Sequence, residues 1–131
     1  MVQPGASIDE LEQGLLTREA VIGELRRQQS RLLAELDGLQ VHQVDGARSL
    51  QEWTRARLDV TAHTARDLVD AARTLPEQPD LVDRSRGWSF ERMVATSRLQ
   101  ASGVDDGLIE QSLRCDLAGV ARLKDRHRRA T

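Results

Sequence analysis

Tyrosine is absent from this chain of 131 residues, and its aromatic side chains are limited to Trp53, Trp88 and Phe90. The hydrophobic fraction of 39% is built mostly from Leu, Ala and Val, the usage of helices rather than of sheets, so an all-β fold is excluded. Only one cysteine is present, Cys115, which rules out an intramolecular disulfide and a paired-thiolate metal site and points to a reducing compartment. Long hydrophobic runs are lacking as well. Within residues 1–46, Asp9, Glu10, Glu12, Arg18 and Glu19 break up the apolar positions, so neither a signal peptide nor a membrane span is expected, and the cytoplasm is the expected location.

Lysine is nearly missing: Lys124 stands alone among nineteen basic residues, the rest being Arg. Arg codons are GC-rich, so this skew is read as a property of the genome before any demand for bidentate guanidinium geometry. The net charge of -2 is unevenly spread, with four Arg against eight acids over residues 1–46 and five bases against one acid over residues 117–131. Only that last segment is basic.

Helical periodicity dominates what is present. The spacing predicts a long helix from about Ile8 to Leu39, with Ser7 as N-cap and Asp9 and Glu10 complementing the helix dipole. With Ile8 at heptad position a, the a positions are Ile8, Leu15, Ile22, Gln29 and Leu36, and the d positions are Leu11, Arg18, Leu25, Leu32 and Leu39. Such a seam, interrupted only by Arg18 and Gln29, is the pattern of a coiled coil. Leu16, Val21 and Leu33 widen the apolar face beyond a two-stranded seam, so packing within the chain and pairing with another chain both stay open.

Gly38, Asp45 and Gly46 predict the end of this helix and a loop through "QVDGARS". Ser49 and Glu52 form a capping-box pattern for a helix over about Leu50 to Leu58, and Thr61 caps the next, about Ala62 to Leu75. Pro76 and Pro79 stop it, and one or two turns begin at Pro79 and end at Gly87. Ser89 caps a helix from about Phe90 to Ala101, and two last helices cover Leu108 to Leu113 and Leu117 to about Arg128, the second capped by Asp116. The expected organisation is all-α: residues 1–46 as the long helix and loop, residues 47–131 as a small helical domain with a basic end.

The stretch "SLQEWTRARLDVTAHTARDLVDAARTL" has the outline of a DNA-reading helix-turn-helix. Its second helix would show His63, Thr64, Arg66, Asp67, Asp70 and Arg73 to a groove, and charges three and four apart would neutralise one another, which weakens that reading. Arg122, Lys124, Arg126, Arg128 and Arg129 form a second candidate contact for nucleic acid, set against the ordinary preference for cations at a helix C-terminus. His42, His63 and His127 fall on separate elements without metal-ligand spacing. No catalytic constellation, cofactor, metal or small-molecule substrate is expected. Trp53 and Trp88 are expected as core anchors.

The pattern Ser49, Trp53, Arg57, Leu58, Ala65, Leu68, Val69, Ala72, Arg73, Leu75, Pro79 and Leu81, followed by "GWSFERMVATSRL", resembles the actinobacterial family called domain of unknown function 222, or 13E12-repeat family, over roughly residues 49–129. The resemblance implies a helical region of the kind that precedes an HNH nuclease domain. The HNH histidine and asparagine set and paired cysteines are not among these residues, so nuclease activity is not carried over. It would be expected only if an HNH segment followed in a longer parent protein.

Two functions follow as expectations. The first is a non-catalytic interaction module that pairs with itself or with another helical protein through Ile8, Leu11, Leu15, Ile22, Leu25, Leu32, Leu36 and Leu39. The second is a nucleic-acid-binding accessory module that uses the basic tail and the helix pair.

Overall fold

A computed structural model describes residues 5–130, and within them the chain is all-α with no strand. Helix α1 spans Ile8–Gly38, α2 Val41–Val44, α3 Leu50–Leu58 and α4 Ala62–Thr74. A 3₁₀ turn over Leu75–Glu77 leads into α5 (Pro79–Arg84), followed by α6 (Phe90–Ala101), α7 (Asp106–Leu113) and α8 (Leu117–Ala130).

The helix starts are fixed by side-chain caps. Ser7, Ser49, Thr61 and Ser89 each accept a hydrogen bond from the backbone N–H three residues on, satisfying a donor that the first helical turn cannot. Asp105 and Asp116 do the same for Leu108 and Gly119, so α7 starts at Asp106, two residues before the expected Leu108. The reciprocal half of the Ser49 box does not form: the Glu52 carboxylate pairs with Arg48 at 3.3 Å.

The link after α1 differs from the expected loop. Gly38 is the last helical residue, and the reversal is made at Gln40, which takes a left-handed backbone at φ 55° and starts the extra turn α2. Asp59 makes the same left-handed step after α3, at φ 56°. Asp tolerates this conformation through local hydrogen bonding, whereas Gln has no such advantage, and that is why no turn signal marks residue 40.

Helix α4 lies at the centre, packed against α1, α3 and α6. Its Leu68, Val69, Ala71 and Ala72 join Leu33 of α1, Leu50 of α3, Leu81 of α5 and Met93 and Val94 of α6 in the main core. A second cluster of Leu99, Val104, Val120 and Leu123 ties α8 to α6, with Ile109 packed against both clusters. Trp53 and Trp88 sit half-buried at the margin of the main core instead of within it. Trp53 donates its indole N–H to Asp45 at 2.7 Å, and the Arg92 guanidinium stacks 3.6 Å from the centre of the Trp88 ring.

Helix α1 reaches this body through small residues. A Cβ on Gly23 would lie 2.6 Å from the Trp88 carbonyl oxygen, so the two backbones pass at a distance that only glycine allows. Beside it, buried Arg27 donates to Ser85 Oγ at 3.1 Å and to the Val82 carbonyl at 3.5 Å, placing a cation at the C-terminal end of α5. Arg27 also pairs with Glu24 on its own helix at 3.1 Å.

Two glycine substitutions within one helix separate propensity from packing. Gly14→Ala would meet only the flexible end of Arg18, so it is expected to raise stability by about 0.5–1 kcal/mol. Gly23→Ala is expected to lower it by about 1–3 kcal/mol despite the same gain in propensity, because a backbone must move. Urea melts of both variants check this, and a stabilised Gly23→Ala would refute the close approach.

Candidate functional site

The most extended unpartnered feature is one face of α1. Its inward side is made of Gly23, Arg27, Ser30 and Leu33, with Ala20, Ala34 and Asp37 half-buried beside them. On a helix advancing 100° per residue this stripe falls at heptad positions b, e and f, and the a/d seam points roughly 150° away from the centre of b and f. The seam therefore faces out.

Exposure follows that geometry. Ile8 is 82% exposed, Leu15 73%, Leu32 62% and Ile22 48%, and Leu11, Leu25 and Leu39 are exposed as well. Leu36 is half-buried near the end of the helix. Of the residues that broadened the apolar face, Leu33 enters the core, while Leu16 and Val21 stay exposed. Single exposed leucines are ordinary on a protein surface, but an aligned row along a helix is a contiguous patch of the kind that marks an interface.

The polar members of the seam hold local bonds. Arg18 donates to the Gly14 carbonyl at 3.1 Å, and Gln29 accepts from Arg26 at 2.9 Å. From Ile8 to Glu19 every residue is exposed except half-buried Gly14, so the first third of α1 is little packed against the body. A helical segment this short is only marginally stable in water without tertiary contact.

A groove of about 1220 Å³ runs along the flank of α1, between it and the end of α4, Pro76, Pro79 and α5. Leu16, Val21, Ala34, Leu75 and Val82 give it an apolar floor, and Glu24, Arg31, Asp83 and Arg86 rim it with both signs of charge. Apolar floor and mixed charged rim suit a peptide or helix better than a small polar substrate.

The pair α3 and α4 does form the two-helix corner seen in the sequence, with α4 packed against α1 and α6 as well as α3. Asp67, expected on its outer face, is only 6% exposed, and it receives Arg98 of α6 at 2.6 Å and His63 at 3.3 Å. Asp70 also binds Arg98, at 2.8 Å, and Arg73 reaches across to Asp37 of α1 at 3.0 Å. The expected pairing along the helix is thus replaced by pairing between helices. Burial alone would lower the Arg98 pKa, but hydrogen bonds and charge from Asp67 and Asp70 outweigh it and raise it. The Arg73 pKa is raised too, first by its bond to Asp37.

On α8 the buried stripe is Gly119, Val120 and Leu123, and Arg122, Lys124, Arg126, Arg128 and Arg129 are all exposed. Their spacing divides them: Arg122, Arg126 and Arg129 lie on one flank of the buried stripe, Lys124 and Arg128 on the other. His42, His63 and His127 remain on α2, α4 and α8, and Cys115 is half-buried with its thiol directed to the Gln111 carbonyl at 3.3 Å. Among the described residues no group of three His, Cys, Asp or Glu is placed to hold a metal, and no helix is long and apolar enough to cross a membrane.

Comparison with protein-family models, with curated proteins and with solved structures finds no match to this chain.

Removing the shared cation tests how α4 is held. Arg98→Ala leaves Asp67 buried without its guanidinium and is expected to cost about 2–3 kcal/mol, less than a fully buried pair because Arg98 retains a third of its exposure. Denaturant unfolding reads this, and a loss below about 0.5 kcal/mol would mean that the pair holds nothing.

Proposed function

We propose that this chain is a non-catalytic helical interaction module that assembles through the a/d face of α1, with itself or with another helical protein. The observation that carries the reading is the opposition of the two faces of α1: one is docked on the body through small residues, and the other presents an apolar seam to solvent. A helix that only closed its own core would place those leucines inward. The resemblance to domain of unknown function 222 adds a setting, the helical region of HNH-endonuclease-associated proteins in the actinobacterial cytoplasm. In that setting such a module would assemble or position a DNA-processing partner.

Ile22→Asp puts a charge in the middle of the seam without touching the body. It is expected to weaken assembly at least about tenfold while leaving the helical circular dichroism intact. Light scattering over a range of concentrations measures the mass. A parent protein that is monomeric throughout, gives the same mass as the variant and retains no partner helix would end this reading.

A second reading is favoured by the exposed Arg122, Arg126 and Arg129 on one flank of α8: contact with a nucleic-acid backbone through that flank. Such a contact must weaken as salt rises, and replacing Arg122, Arg126 and Arg129 by Ala should reduce the slope of log K against log salt by about 2–3. Absence of duplex binding at low salt removes it.

A further inference from the structure

We propose that the occupant of the α1 seam is a second copy of this chain, paired antiparallel with residue numbers in facing layers adding to 47. This rests on the reading of α1 as an interface and adds its partner, orientation and register.

The polar positions choose the orientation. In a parallel pair with the helices in register, Arg18 would face the partner's Arg18 inside the seam, and two guanidinium groups would be desolvated against each other. In the antiparallel register, Ile8 faces the partner's Leu39, Leu11 the partner's Leu36, Leu15 the partner's Leu32 and Ile22 the partner's Leu25. The remaining layer puts Arg18 opposite the partner's Gln29, whose carboxamide oxygen is an acceptor for the guanidinium. Both interruptions of the seam are used against each other, and every other layer is apolar on both sides. The full overlap of the two seams would pair a with d in any sequence, but it does not by itself make the two polar residues coincide.

The flanking charges agree. In the antiparallel arrangement e positions border e positions, which brings Glu19 of each copy beside the partner's Arg26, offset by only about 3 Å along the axis, so two opposite-charge pairs bracket the centre. In the parallel arrangement g borders the partner's next e, giving Gly14 with Glu19, Val21 with Arg26 and Gln28 with Leu33, none of them a charge pair. Arg26 is already turned toward the seam by its bond to Gln29.

Size and coverage also fit a second copy. Eight apolar seam residues, seven of them exposed, would bury on the order of 700 Å² per copy, close to the figure of about 800 Å² for stable interfaces. The exposed segment Ile8–Glu19 would lie along the partner's 28–39 segment, which carries the partner's own body on its other side. The least supported part of each helix is thereby placed against the best supported part of the other.

The test uses the full chain with Cys115→Ser, so that introduced thiols are the only ones. Leu15→Cys and Leu32→Cys proteins are oxidised each alone and as a mixture, with circular dichroism confirming that each is folded. The expected result is a crosslink between positions 15 and 32 in the mixture and little in either protein alone, since two copies of position 15 would stand about 26 Å apart. Crosslinking of each variant with itself would show a parallel pair and overturn the orientation, while leaving the α1 interface in place. A dimer without either crosslink, still broken by Ile22→Asp, would overturn the register alone. A monomer by light scattering at every concentration would overturn self-pairing, and the reading of an interface would then stand or fall on capture of another helix.

Charge reversal supplies an independent readout. Glu19→Arg is expected to weaken the dimer about three- to tenfold, and adding Arg26→Glu to the same chain is expected to restore it. Residues 19 and 26 are too far apart on one helix to pair with each other, so restoration must come from contact between copies. Failure to restore would count against the antiparallel register.

Discussion

Where the backbone of α1 passes the Trp88 carbonyl, the absence of a side chain at Gly23 sets both the depth and the rotation of the longest helix. The fully buried side of α1 is Gly23, Arg27, Ser30 and Leu33, with Leu33 its one large apolar residue, so the helix sits close to the body without offering it a broad greasy face. Arg27 locks the rotation by reaching the end of α5. Once that side is fixed, helical geometry decides where everything else on α1 must point, and the leucine row is carried outward as a direct consequence.

Beyond its apolar core, the body is also tied by polar bonds between helices. Arg98 holds two carboxylates of α4, Arg73 joins α4 to α1, and Ser97 of α6 is linked to Thr74 and to Gln78 at 2.6 Å each. All but the Ser97–Gln78 bond reach α4, which explains why a helix with several charged residues can occupy the centre. Thr54 and Thr96 are the counter-examples, two fully buried hydroxyls without a partner among the described residues, and each costs stability that a valine would not.

Much of the local structure was legible because it depends on neighbours in sequence. Ser49, Thr61 and Ser89 announce helix starts through bonds that span three residues, and the first residues of α3 and α6 follow from them. What was not legible depends on tertiary placement. Gly38 marks the end of the helix, but Gln40 itself announces no left-handed turn, and the reversal there goes with the packing of Val41 against the core. Asp67 reads as a surface acid until Arg98, thirty-one residues away, is brought beside it. The heptad row showed that α1 has an apolar seam, but which side faces the body was carried by the quieter spacing of Ala20, Gly23, Ser30 and Ala34, small residues that mark close approach and have no weight in a count of hydrophobic positions.

With no tyrosine in the chain, the two indoles provide nearly all of its near-ultraviolet signal, and each reports on a different joint. Trp53 is tethered to Asp45 and so samples the corner between α2 and α3. Trp88 lies under a guanidinium, next to the carbonyl that Gly23 skirts. With Trp53 replaced by Phe, its emission becomes a gauge of whether α1 is seated, one that needs no added label.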